Sequence, residues 1–221
     1  MSVPDAPRLS ESGFDLDEVD RLLSTTRAVR RRLDYERPVA REVLLDCIRL
    51  SQQSPTGTNA QHWRWLVIDE PERRKALGEI YARGIPMLDA SAKSAQDEQT
   101  RLVYTHARDF AERLGDVPAL VVPCLLGPLD DDAEWVHTTT YLGSIYPAVW
   151  SFQLALRSRG LGSVFTTMHL AFEAESREVL GLPDEVVQTA LLPVAYTVGV
   201  DFAPTRRPPP ESITYFNEWG D

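Results

Sequence analysis

The chain has 221 residues, 43% of them hydrophobic, and a formal net charge of -10. That length and apolar content suit one large domain or two small ones with a substantial core, and the acidic balance argues against a general nucleic-acid binder. No window approaches the run of about 18 apolar residues that a membrane helix needs. The acidic start, with Asp5, Glu11, Asp15 and Asp17, resembles no signal peptide, so a cytoplasmic protein is expected.

In chain order, Leu16 to Leu23 reads as a short amphipathic segment that Asp15 or Asp17 can cap. The run Arg27-Ala28-Val29-Arg30-Arg31-Arg32 follows and stands out against the acidic background. Arginine offers a fixed fork of donors that matches phosphate oxygens, so the run is either a phosphate clamp or a solvated basic face paired with surface carboxylates. From Val39 to Gln53 the spacing of Val43, Leu44, Cys47, Ile48 and Leu50 predicts a one-faced helix. Cys47, and Cys124 further on, read as small core residues rather than a disulfide or metal pair. The four histidines lack paired ligand spacing, and no metal site is expected.

Between that helix and the aromatic, β-branched strand Trp63 to Ile68 lies Ser54-Pro55-Thr56-Gly57-Thr58-Asn59-Ala60-Gln61-His62. Pro55 and Gly57 suffice to stop the helix and turn the chain. The interleaved Thr56, Thr58, Asn59 and Gln61 are neutral donors and acceptors that suit a flat heterocycle, or else satisfy their own backbone. Pro71 to Tyr81 follows as a surface helix opened by proline, with Leu77, Ile80 and Tyr81 inward. Pro86 to Leu114 is a more polar helical stretch suited to a mobile cover. Pro118 to Leu126 is apolar enough for a central strand, and Gly127 to Ala133 is an acidic loop whose Asp130, Asp131 and Asp132 lack the spacing of a cation site.

Tyr141 to Arg159 reads as one buried helix, ended by a Gly160-Leu161-Gly162-Ser163 turn, with a strand over Val164 to His169. A short helix, Glu173 to Leu180, and a strand, Thr189 to Val200, come next. The rest, Ala203 to Asp221, holds Pro204, Pro208, Pro209 and Pro210 and reads as an extended arm whose Tyr215, Phe216 and Trp219 need a docking surface, on a partner subunit.

Taken in order, the Arg-rich segment, the Pro55 to Trp63 loop, the Gly160 to Ser163 turn and the Pro204-Thr205-Arg206-Arg207-Pro208 arm resemble the FMN-dependent nitroreductase family over roughly Ser24 to Pro210. The resemblance implies an α+β, three-layer α-β-α fold with a mixed central sheet and an extended C-terminal arm. It implies a single FMN-binding domain over residues 1–221, flexible over 1–14, that forms a homodimer with FMN at the interface. The family's Arg-x-Ser-x-Arg/Lys segment, which holds the FMN phosphate and the ring's pyrimidine edge, falls on Arg27, Ala28, Val29 and Arg31, with Val29 in place of serine. Its Pro-Ser-x-x-Asn loop falls on Pro55, Thr56, Gly57 and Asn59. The backbone donor to flavin N5 falls near Thr166, Thr167 and Met168, and the arm's phosphate contact on Arg206. The activity implied is NAD(P)H-driven, ping-pong reduction of nitroaromatics, quinones or related electron-poor substrates. Dehydrogenase, oxidase or dehalogenase chemistry on the same scaffold, or flavin binding without turnover, are the alternatives. The flavin carries the chemistry, and no protein catalytic dyad is required.

Overall fold

The computed structural model describes residues 9–127, 129 and 132–220. The chain forms two compact units, Arg27–Val200 and a smaller one built from the residues up to Thr26 and those from Asp201 onward.

The larger unit is an α+β structure around a five-stranded sheet. Its strands are β1 (Trp63–Ile68), β2 (Ala119–Leu126), β3 (Leu161–Ser163), β4 (Val186–Gln188) and β5 (Leu192–Tyr196), in the order β1-β2-β5-β3 with β4 beside β2. The four pairings described are antiparallel. Strand β2 is central because one of its edges takes all of β1 while the other takes β5 over Ala119 to Val121 and β4 over Cys124 to Leu126. Alternation along a strand sends successive side chains to opposite faces. Ala119, Val121 and Leu125 therefore join one cluster with Leu44, Cys47 and Ile48 of α2 (Arg41–Ser51) and Val149, Phe152 and Leu156 of α7 (Tyr146–Ser158). Leu120, Val122 and Cys124 on the other face are equally buried, so the sheet is covered on both sides. Burial in this apolar setting pushes the Cys47 thiol up to about 11 and the Cys124 thiol up to about 12; both are free.

Helix α3 (Pro71–Ala82) opens at its proline as the sequence indicates. Elsewhere the elements differ from the sequence reading, for local reasons. The stretch from Pro86 to Leu114 is two helices, α4 (Ile85–Ser94) and α5 (Glu98–Ala111), because Asp97 turns extended and accepts the Thr100 N–H to start α5. The long helix ending at Arg159 is likewise two, α6 (Trp135–Gly143) and α7, the second opened by Pro147 in its first turn. Gly160 takes a φ of 76° to end α7, and Leu161 to Ser163, expected as a turn, is itself strand β3 against β5. The strand expected over Val164 to His169 is reduced to one bridge, Thr166 to Leu191, before a 3-10 turn over Met168–Phe172 and α8 (Glu173–Leu180). The expected Thr189 to Val200 strand is shorter, as β5, and β4 precedes it.

In the smaller unit α1 (Leu16–Thr25) is capped by Asp15, whose carboxylate accepts the Asp17 and Glu18 N–H groups. Residues 9–14, within the segment expected to be flexible, form a hydrogen-bonded turn in which Ser10 N–H donates to the Phe14 carbonyl; residues 1–8 lie outside the described residues. The C-terminal segment is extended apart from a 3-10 turn over Pro210–Ile213. Near its end Tyr215 and Trp219 stack at 4.5 Å, with Phe216 83% and Trp219 87% exposed. Asp130 and Asp131 of the acidic loop lie outside the described residues. Among the described residues no helix is long and apolar enough to cross a membrane, and no cluster of His, Cys, Asp and Glu is suited to a metal.

Candidate functional site

The arginine run is laid along the sheet edge by backbone bonds. Val29 N–H donates to the Ser163 carbonyl at 2.9 Å, Asp34 N–H to Tyr196 at 2.8 Å, and Val198 N–H to Arg32 at 2.9 Å. Val29 is buried, and Gly162 permits this close approach: a Cβ there would stand 3.1 Å from the Val29 side chain. With Val29 inward, its neighbours Ala28 and Arg30 take the other side of the extended chain. The four arginines then divide. Arg27 is exposed, Arg31 is exposed and donates to His106 on α5 at 3.3 Å, and Arg32 donates to the Val198 carbonyl at 2.9 Å. Arg30 is half-buried like Arg32, but loss of water lowers its guanidinium below the usual range, and no carboxylate among the described residues pairs with it. A partly desolvated cation without an anion is costly in an empty protein and well suited to an anionic ligand.

Beside it lies the segment after β3. Both backbone groups of Thr166 are committed to Leu191, its N–H at 3.2 Å and its carbonyl accepting at 2.7 Å, so Thr166 has no backbone donor to offer. The Thr167 and Met168 N–H groups have no acceptor among the described residues. Thr166 instead presents its hydroxyl, which lies 2.6 Å from the Tyr81 hydroxyl on α3. Met168 packs over Gly84 at the junction of α3 and α4, where any side chain would collide with it.

The loop from Pro55 to Gln61 is held elsewhere, on α6 and α7. Gly57 N–H donates to Ser144 Oγ at 3.0 Å, Ser54 and Ser151 share a hydrogen bond of 3.1 Å, and a Cβ on Gly57 would strike Thr140 at 2.6 Å. Much of the loop's polar capacity is spent internally. Gln61 N–H donates to Thr56 Oγ1 at 3.3 Å, Thr58 Oγ1 donates to the Gly57 carbonyl at 2.8 Å, and Gln61 Nε2 donates to Asn59 Oδ1 at 2.9 Å. Local capping, one of the two readings open from sequence, is thus part of the loop's architecture. It does not explain the backbone: Thr58, Asn59 and Gln61 have φ of 52°, 57° and 51°, left-handed values unusual for residues with a Cβ. Such strain is typical of segments shaped to present groups outward. The exposed Asn59 keeps its amide Nδ2 donor, and a cavity of about 360 Å³ opens between this loop and α6, lined by Gly57, Gln61, His62, His137, Thr140 and Tyr141. Arg206 belongs to the smaller unit.

Sequence reasoning did not single out Arg30 or Tyr81 as candidates. In a run of like side chains only the burial of Val29 separates Arg30 from its neighbours, and Tyr81 reads as one more inward residue of α3.

The features together define an α+β protein with an anion-seeking cation, free backbone donors and a strained polar loop. Residues 23–196 match the Nitroreductase family, and the chain belongs to that family. An iodotyrosine deiodinase of Thermotoga neapolitana is 27% identical over 178 residues, covering 79% of this chain and 86% of that one. An NADH dehydrogenase of Thermus thermophilus is 25% identical over 201 residues, covering 85% and 90%. Among solved structures, oxidised iodotyrosine deiodinase bound to FMN and 3-iodo-L-tyrosine superposes with a TM-score of 0.69 at 21% identity, covering 91% of this chain and 100% of that one.

Proposed function

We propose that this chain is an FMN-dependent oxidoreductase that works as a homodimer. The observation that carries the reading is the half-buried, anion-free Arg30 beside a segment whose Thr167 and Met168 N–H groups lack acceptors. A flavin mononucleotide has chemistry to satisfy both. Its phosphate and the electron-rich pyrimidine edge of its reduced ring seek cations, and its N5 seeks a hydrogen-bond partner. Arg27 and Arg30 are the cations assigned to it, Arg30 standing one position before the Arg31 expected from sequence. The residue opposite the buried Val29 that faces the cofactor is then Ala28, which contributes space and no hydrogen bond.

The Arg27 segment is anchored to β3 and β5, and the Pro55 to Gln61 loop to α6 and α7. A second copy of the chain supplies the loop that completes each site in this reading, and the exposed Phe216 and Trp219 dock on that copy. Bound FMN would accept hydride from NADH or NADPH and pass two electrons to a nitroaromatic, quinone or related electron-poor acceptor, one reactant replacing the other over the ring. The protein's part is to hold the phosphate, set the charge around the ring and keep water from it. Reductive dehalogenation is the second reading, supported by the likeness to curated iodotyrosine deiodinase.

The test is direct. The purified protein is expected to be yellow, to lose its visible band on anaerobic addition of NADH or NADPH, and to regain it with a nitroaromatic or a quinone. Recovery with iodotyrosine but not with those acceptors would select the second reading, and a protein that neither binds FMN nor is bleached would refute the proposal.

A further inference from the structure

We propose that Tyr81 is a positioning residue: its buried hydroxyl bonds the Thr166 hydroxyl and so fixes the direction in which Thr166 presents its own proton to the bound cofactor. The inference rests on the functional reading above and extends it to a residue that contributes no surface of its own.

Tyr81 is 5% exposed and lies on the inward face of α3 with Leu77 and Ile80, where a phenylalanine would fill the same space. A hydroxyl carried into such a position is unfavourable unless it is bonded. Its partner is specific, because Tyr81 Oη lies 2.6 Å from Thr166 Oγ1, across 85 residues of sequence. The direction of that bond follows from the two groups, since a phenol is the more acidic donor and an alcohol oxygen the better acceptor. The positive charge of Arg30 acts on the phenol and favours the same sense, with the phenol hydrogen toward Thr166 Oγ1. Burial raises the phenol's affinity for its proton, and Tyr81 is neutral at physiological pH.

Thr166 then accepts from Tyr81 and has one hydroxyl hydrogen left to give. Its backbone cannot compete for that hydrogen, since both backbone groups are engaged with Leu191. The side chain is half-buried rather than enclosed, immediately before Thr167 and Met168 with their free N–H groups. Linked hydrogen bonds polarise one another, so the bond from Tyr81 strengthens the one that Thr166 donates. Without the Tyr81 hydroxyl, Thr166 can rotate and donate back toward the protein.

The experiment uses the full chain loaded with FMN and the variants Tyr81→Phe, Thr166→Val and the double variant. Three quantities are measured: FMN dissociation constant, flavin midpoint potential against a reference dye, and melting temperature of the flavin-free form. Each single change is expected to weaken FMN binding by about ten-fold, the loss of one polarised hydrogen bond, and to shift the midpoint potential. The double variant is expected to lose little more than either single one, because both remove the same link. A Tyr81→Phe protein with wild-type affinity and potential but a lower melting temperature would reduce Tyr81 to packing and overturn the proposal, as would fully additive losses. If Tyr81→Phe does not fold, Thr166→Ser and Thr166→Val decide: serine keeps the hydroxyl and should keep the potential, and equal shifts in both would refute the role. Wild-type protein that fails to bind FMN strikes the functional reading itself, whereas unchanged variants of an FMN-loaded protein strike Tyr81 alone.

Discussion

Replacing Arg30 and Arg31 separately by alanine pits the structure against the plain motif. Arg30 is half-buried, partly desolvated and without a carboxylate, so in the flavin-free protein its charge is a burden. With FMN bound it forms a charge-assisted contact whose loss costs about 1.5 to 3 kcal/mol, or about ten-fold to more than a hundred-fold in affinity. The two effects have opposite signs. Arg30→Ala should bind FMN far more weakly while the flavin-free protein melts at the same temperature or higher. Arg31 is exposed and linked only to His106, so Arg31→Ala should cost under about 1 kcal/mol, no more than about five-fold in affinity. Titration of flavin-free protein with FMN at fixed ionic strength, followed by fluorescence quenching, gives the affinities, and thermal melts give the stabilities. A larger loss for Arg31→Ala than for Arg30→Ala would put Arg31 at the cofactor in place of Arg30. An Arg30→Ala protein that is less stable with affinity intact would make Arg30 a structural residue.

His169 is fully buried, both ring nitrogens lack partners, and loss of water holds its imidazole down to about 4, with the charge of Glu173 opposing. In the unfolded chain the same ring protonates near 6.5, so stability present above that pH is lost as the pH falls from about 6.5 toward 4, by about 3 kcal/mol in all. Urea unfolding at pH 7 and pH 4.5 should show a clearly smaller acid loss for His169→Leu, and equal losses would refute the assignment. Deleting residues 212–221 removes Phe216 and Trp219, each contributing about 1.5 to 3 kcal/mol if docked, and should loosen the dimer and its flavin together. A wild-type chain that sediments as a monomer with FMN bound would sink the dimer reading.

How much of this was legible in the sequence depends on whether a feature is set by neighbours in the chain or by neighbours in space. The helix near Cys47 and the strand Trp63–Ile68 announce themselves because apolar period and residue type are local, and their burial follows. Tyr141 to Arg159 reads as one helix because the end of α6 and all of α7 are apolar enough, although Pro147 signals the break: proline is favoured in a helix's first turn and disfavoured inside it. Strand β3 gave no local signal, since three residues containing a glycine have little strand character of their own and are made a strand by β5. The site divides in the same way. The polar loop and the arginine run stand out by composition, yet the left-handed turn at Thr58, Asn59 and Gln61 contains no glycine at those positions to mark it. Which arginine faces a ligand depends on Val29 packing against Gly162, more than 130 residues away, and the role of Tyr81 on a hydroxyl 85 residues away. A motif therefore points to a segment. The last step, from the right segment to the right side chain, belongs to tertiary packing, and here it separates a cation committed to His106 from one left without an anion.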